Sequence, residues 1–249
     1  MSLAPHPTIE GHYREAGQRQ EYVDSLFDRA APHYDWICRV MSFGSGALYR
    51  RQALQRLGLR PGMSVLDVAT GTGLVAREAA ALTGGSGVIG LDPSRGMLEQ
   101  ARRTVGAPLV QARGEALPFA DTRFDALSMG YALRHVPDLY AAFREYHRVL
   151  RPSGRVLILE ISRPASRIGL GLARLYLKRL IPFITRVGTG SADAQRLMDY
   201  YWDTIEHCVA PEAILDAMRR SGFEATRRVQ GGLLSEYVGT KTAIDSVSG

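Results

Sequence analysis

Residues 65–73 read Val65-Leu66-Asp67-Val68-Ala69-Thr70-Gly71-Thr72-Gly73, an apolar run that carries one acid and stops at two glycines one residue apart. Val65 to Val68 lack polar alternation, as a strand buried on both faces does. Gly71 and Gly73 let the chain bend tightly, and Leu74 to Leu82 then continue with helical spacing. Strand, glycine turn and helix follow one another, with the free amides of the helix start facing the end of the strand.

The same alternation continues downstream. Val88 to Leu91 reads as a strand, Ser94 to Val105 as a helix, Pro108 to Gln111 and Phe124 to Met129 as strands, Leu139 to Leu150 as a helix and Arg155 to Leu159 as a strand. Strands separated by helices pair in parallel and carry helices on both faces. Phe223 to Val229 and Leu234 to Thr240 flank Gly231-Gly232, the spacing of an antiparallel hairpin. Helices are expected over Ser166 to Ile181, Asp193 to Glu206 and Pro211 to Ser221. Upstream, Tyr22 to Ile37 is helical with a break at Pro32, and a second helix spans Ala47 to Leu57, ended by Gly58. The expected fold is α/β, a doubly wound, seven-stranded, mostly parallel sheet. Residues 1–20 read as a mobile arm and 21–249 as one domain, with a helical cap over 21–60 and an inserted helical lid over 166–206.

Composition bounds the function. Hydrophobic residues at 45% and charged residues at 22% exclude a disordered chain. Cys38 and Cys208 stand apart without metal-ligand spacing, so free thiols, no metal and a cytoplasmic setting are expected. No apolar run opens the chain, and no export signal is expected. The net charge of +6 resides in residues 161–192, where Arg163, Arg167, Arg174, Lys178, Arg179 and Arg186 meet no acid. With no basic stripe interleaved with aromatics, nucleic acid is not an expected partner. On a helix from Ser166 to Ile181, Leu170, Ala173, Leu177 and Leu180 share one face and Arg167, Arg174 and Lys178 another. Such a segment either packs as a lid or makes peripheral contact with an anionic membrane through 163–186.

Asp92, one βα unit after the glycine turn, is placed to accept hydrogen bonds from both hydroxyls of a ribose. An adenosine ligand follows, but Gly71-x-Gly73-x-x-Ala76 with Asp92 also fits a dinucleotide, which keeps an NAD-dependent oxidoreductase open. Asp67 favours a cationic ligand over a pyrophosphate.

Further segments follow in order. Gln111-Ala112-Arg113-Gly114-Glu115-Ala116-Leu117-Pro118-Phe119 closes the third strand, Phe124-Asp125 opens the fourth, and Leu150-Arg151-Pro152-Ser153-Gly154-Arg155 leads into the fifth. Together they resemble class I methyltransferases, whose sheet is Rossmann-like. Ala31-Pro32-His33-Tyr34-Asp35, Met41-Ser42-Phe43-Gly44, Ala116 to Phe119 and Tyr131-Ala132-Leu133-Arg134-His135-Val136 narrow the match. Over about residues 25 to 240 the chain resembles the ubiquinone/menaquinone biosynthesis C-methyltransferase family.

The resemblance implies S-adenosyl-L-methionine as cofactor, S-adenosyl-L-homocysteine as product, and C-methylation of a hydrophobic aromatic or quinol acceptor. O- or N-methylation of a small metabolite is the alternative. It assigns Asp67, Ala69, Gly71, Thr72 and Gly73 to the methionine end, Asp92 to the ribose, and Met97 to the adenine face. Arg113, Gly114 and Glu115 fall at the adenine edge, Gly130 and Tyr131 beside the methyl donor, and Tyr34 in the cap above it. The chain departs from the family's pattern at Leu74 for Asp, Arg113 for Asp or Asn, and His135 for Asn.

Methylation of an aromatic carbon is helped by a base at the adjacent ring hydroxyl. His135 follows the fourth strand and titrates near neutrality, which fits a base, although a histidine there can equally cap a helix. Arg134 could orient an oxyanion or hold a water; the bland reading is a solvated charge. Tyr200, Tyr201, Asp203 and His207 could form a substrate wall or simply the face of an amphipathic helix.

Overall fold

The computed structural model describes residues 2–242; Met1 of the expected arm and residues 243–249 of the expected domain lie outside the described residues. The strands are β1 (Val65–Val68), β2 (Val88–Asp92), β3 (Leu109–Gln111), β4 (Phe124–Gly130), β5 (Leu150–Ile161), β6 (Phe223–Gln230) and β7 (Leu234–Lys241). Their order in the sheet is β3-β2-β1-β4-β5-β7-β6, with β7 antiparallel to both neighbours. The α/β sheet is therefore the one expected, parallel up to β5 and closed by the hairpin around Gly231-Gly232. The strand order turns back between the parallel neighbours β1 and β4, and a crevice opens beyond their carboxyl ends.

The helices are α1 (Arg19–Met41), α2 (Gly46–Leu57), α3 (Leu74–Thr83), α4 (Arg95–Thr104), α5 (Leu139–Val149), α6 (Arg167–Arg174), α7 (Ile181–Thr189), α8 (Ala192–Glu206) and α9 (Pro211–Arg220). β1 is buried along its whole length, as an unalternating strand should be. Leu66, Leu127, Phe143, Tyr146 and Ile158 pack on one face of the sheet, and Val65, Ala76, Ala79 and Leu157 on the other. A third cluster joins α1 to α8 and the lid through Leu26, Ile37, Leu177, Leu197 and Trp202.

Three expectations are corrected. The helix does not break at Pro32; α1 runs through it, because Leu26, Ala30, Ala31 and Ile37 are buried against the body and offset the roughly 3 kcal/mol of an interior proline. The amino-terminal arm is docked rather than mobile. Leu3 exchanges hydrogen bonds with Asp138 and Leu139 at the start of α5, the Val209 amide donates to the Pro5 carbonyl, and Ile9 and Tyr13 are buried. His12 bridges Tyr22 and Asp203 at 2.9 and 3.0 Å. The lid helix, expected to end at Ile181, passes through a π-helical turn over Leu175–Leu180 and continues as α7 to Thr189. That turn comes just before Pro182, whose missing N–H leaves an α-helical bond unmade. The π turn shifts the register, so Ala173, Leu177 and Ile181 face inward while Leu180 is turned out.

Candidate functional site

The crevice holds a cavity of about 720 Å³ walled by Ala69, Gly71, Asp92, Met97, Gly114, Tyr131 and His135, with α1 as its roof. Ala69 at the end of β1 and Tyr131 at the end of β4 have φ of 51° and 61°, a left-handed backbone that non-glycine residues seldom adopt. Both strained residues line the cavity, where such strain tends to cluster.

Asp92 is nearly buried. Its carboxylate accepts from the Gly71 amide and from the Ser94 amide, each at 2.8 Å, which fixes its plane against the cavity. Burial pushes its pKa up to about 7, against the pull of those two amides, with Asp24 and Asp67 adding to the rise. Arg113, Gly114, Glu115, Met97 and Gly130 also line this cavity, and Tyr34 overhangs it from α1. A Cβ on Gly114 would come within 2.9 Å of the Tyr146 hydroxyl and 3.0 Å of Val68, so the bare backbone at 114 keeps the floor flat. A carboxylate that can take ribose hydroxyls, a methionine face and a flat glycine floor together fit an adenosine group.

Two residues assigned to the ligand serve the loop instead. Asp67 lies beneath the turn, where it accepts from Thr70 Oγ1 and Ser128 Oγ, both at 2.6 Å, and touches neither cavity wall. Gly73 is left-handed at φ 85°, and a Cβ there would run into Val105 at 2.1 Å. Its glycine is required by packing of the turn on α4 rather than by a ligand.

The cap is stitched to the crevice by acids that the sequence reading overlooked. Asp24, Asp28 and Asp35 recur on one side of α1 at intervals of four and seven. Asp24 takes Arg113 Nη2 at 2.6 Å; Asp28 takes the Ser94 hydroxyl at 2.5 Å and the Gly96 amide at 2.8 Å; Asp35 takes the Thr72 hydroxyl. Gly96 allows this approach, since a Cβ would meet the Asp28 carbonyl at 2.8 Å. The spacing is visible in the sequence, but acids on one face of a helix ordinarily read as a solvated surface.

Arg134 is not a solvated charge, and it lines neither cavity at the crevice. It is fully buried, with Nε 3.0 Å from Glu160, Nη1 donating to Thr204 Oγ1 at 2.6 Å and to the Tyr201 carbonyl at 3.2 Å, and its guanidinium 4.3 Å from the Tyr201 ring centre. Burial opposes its charge, but Glu160 outweighs it and the pKa is raised. His135 differs. It lines the cavity between Phe27, edge-on at 5.1 Å, and Tyr200, stacked at 5.6 Å, and neither ring nitrogen has a hydrogen-bond partner among the described residues. Burial holds its pKa well below the ordinary histidine value, with the charges of Arg134 and Arg19 and nearby His6 acting the same way.

Beyond Tyr131 a smaller cavity of about 340 Å³ borders Thr72, Leu74, Cys38 and Arg50, and opens towards an aromatic one of about 880 Å³. Tyr34, Phe43, Tyr49, Tyr131, Tyr176 and Tyr201 line the latter. Of the expected substrate wall, Tyr201 lines the aromatic cavity, and Tyr200, Asp203 and His207 line none of these three. Tyr200 packs behind His135, Asp203 is held by His12 and Lys178, and His207 is exposed at the end of α8 with its ring on the Asp203 carbonyl. Positions 203 and 207 lie on a face of α8 turned away from Tyr201.

The sheet order, the crevice and its carboxylate define the class: this is a methyltransferase dependent on S-adenosylmethionine. Solved structures of that class share the fold, among them a SAM-dependent methyltransferase of Thermotoga maritima (TM-score 0.62, 22% identity, covering 88% of this chain and 99% of that one). Another is a SAM-dependent methyltransferase of Aquifex aeolicus (TM-score 0.58, 15% identity, covering 92% and 100%). The chain belongs to the ubiE/COQ5 methyltransferase family, whose model matches residues 15–241. It is 36% identical over 237 residues to demethylmenaquinone methyltransferase of Symbiobacterium thermophilum, covering 90% of this chain and 94% of that protein. It is 33% identical over 234 residues to the ubiquinone/menaquinone biosynthesis C-methyltransferase UbiE of Geotalea uraniireducens, covering 90% and 98%. The dinucleotide oxidoreductase is thereby set aside.

Proposed function

We propose that this enzyme methylates a ring carbon of a hydrophobic quinol, within one catalytic unit formed by residues 21–249. The observation that carries the reading is the aromatic cavity joined to the glycine turn: it shares Tyr34, Cys38, Arg50 and Tyr131 as walls with the small cavity at that turn. The relatives named for demethylmenaquinone and ubiquinone/menaquinone methylation support the same acceptor class. S-adenosylmethionine supplies an electrophilic methyl group when bound. When it is bound, Asp92 would accept the ribose hydroxyls, Met97 and Gly114 would flank the adenine with Arg113 and Glu115 at its edge, and Ala69, Gly71, Thr72, Gly130 and Tyr131 would bound the path to the acceptor. Aromatic walls exclude water and align the ring. His135, neutral and unpartnered on the wall of the Asp92 cavity, is placed to take the proton of a ring hydroxyl that reaches past Tyr131 into that cavity. Incubation with methyl-labelled cofactor and a quinol panel, followed by product NMR, should show a new carbon-bound methyl group; label on oxygen or nitrogen would sink the reading.

Asp92→Ala should weaken S-adenosylhomocysteine binding by roughly 10- to 100-fold, the range for hydrogen bonds to a charged group. The pH dependence has a definite sign. Because the carboxyl titrates near 7, acid protonates it and removes acceptor capacity, so affinity should fall as pH drops through 7. Calorimetry from pH 5.5 to 8 checks this, and a flat profile in the parent enzyme would reject the ribose assignment.

Peripheral contact with anionic lipid through 163–186 has gained a different basis. Arg174 and Lys178 pair with Glu206 and Asp203 and serve the lid itself. The outward surface instead shows Ile168, Leu172, Leu175 and Phe183, flanked by exposed Arg167 and Arg179. No helix among the described residues is long and apolar enough to cross a membrane, so this surface would lie on one. Vesicle co-sedimentation should require anionic lipid, weaken with salt and drop in Leu172→Ser/Phe183→Ser. Equal pelleting of that variant would leave the segment as a lid only.

A further inference from the structure

Arg50, on α2, is 6% exposed, yet its guanidinium has no hydrogen bond, ion pair or ring partner among the described residues. Buried charges are ordinarily paired, because an isolated one forfeits its hydration without compensation. Asp35, which borders a cavity with Arg50, accepts from Thr72 and makes no ion pair with it. Arg50 instead borders the small cavity at the glycine turn and the aromatic cavity beyond. Its charge is felt there, since burial pushes the Cys38 thiol up to about 11 and Arg50 pulls against that rise.

The cavity with Asp92 and the small one with Arg50 are continuous, sharing Tyr34, Ala69, Gly71, Gly130 and Tyr131. A ligand whose ribose rests on Asp92 thus extends along the glycine turn towards Arg50. The first-turn amides of α3, beginning at Leu74, belong to the same wall and favour negative charge. A planar guanidinium matches a carboxylate through two parallel N–H···O bonds. The geometry points to Arg50 as the counter-ion of the cofactor's amino-acid carboxylate, the group by which this enzyme tells S-adenosylmethionine from adenosyl ligands that lack one. This assignment rests on the cofactor reading above.

Calorimetry with three probes tests it: S-adenosylmethionine, its decarboxylated analogue, and 5′-methylthioadenosine, which lacks the whole amino-acid group. The parent enzyme should prefer S-adenosylmethionine to the decarboxylated form by about 10- to 100-fold, the range for a charge-assisted pair. Arg50→Met should lose that preference while binding methylthioadenosine as the parent does, which also certifies its fold; Arg50→Lys should recover part of it. Equal binding of the first two probes by the parent overturns the inference without any variant. So does an Arg50→Met enzyme that keeps the preference, or one whose only defect is a raised KM for the acceptor, which would assign Arg50 to an acceptor anion. If the parent binds none of the three, the cofactor reading fails and takes this inference with it.

Discussion

Arg134→Met should cost about 3 to 5 kcal/mol of folding stability, the range for removing one partner of a buried ion pair. Glu160, 2% exposed, would be left as a carboxylate without its counter-charge, Thr204 Oγ1 would lose its donor, and the Tyr201 carbonyl would keep only the Thr204 hydroxyl of its two side-chain donors. Urea denaturation of the single variants and of Arg134→Met/Glu160→Leu separates this from a role in chemistry. Each single change should be strongly destabilising, and the double change should recover much of the loss, since an apolar pair carries no stranded charge. A variant as stable as the parent but inactive would return Arg134 to the reacting groups.

His135→Gln should slow single-turnover methyl transfer about 100-fold, the lower range for general base catalysis, with cofactor affinity changed by less than about threefold. Its sign in pH follows from its surroundings. Burial and the neighbouring cations hold the imidazole neutral, so the base form is populated throughout the neutral range. Any acid limb due to His135 lies below its ordinary pKa of about 6.5, and the parent rate should be flat from there to about pH 8. Rapid-quench measurements across that range decide it. A Gln variant that retains nearly full rate would leave His135 as packing between Phe27 and Tyr200.

Much of the sheet was legible because burial on both faces leaves a plain signature: Val65–Val68 is apolar apart from Asp67, and Val88–Asp92 is an apolar run ending in an acid. Asp92 was legible for the same reason, as the polar end of a buried strand one unit after a glycine turn. Long-range packing hides the rest. Nothing local distinguishes Pro32 within a helix from Pro32 at its end; the burial of Leu26 and Ile37 decides. The π turn before Pro182 depends on which side of the lid finds a core. Arg134 stands in the expected motif, but only the fold brings Glu160 on β5 beneath it, and Arg50 resembles its neighbour Arg51 until α2 is seated over the crevice.

The three acids of α1 carry a thermodynamic consequence. Asp24, Asp28 and Asp35 fasten the helix to Arg113, Ser94, Gly96 and Thr72, residues of or beside the very loops that floor the crevice, while Val23, Phe27 and Tyr34 of the same helix form its ceiling. Anchorage and occupancy are then two readings of one equilibrium. A ligand that tightens the clasp when held beneath α1 is bound more weakly, by the same free energy, when the clasp is loosened. A substitution among these acids would then register as weaker ligand affinity although none of the three changes need touch the ligand itself.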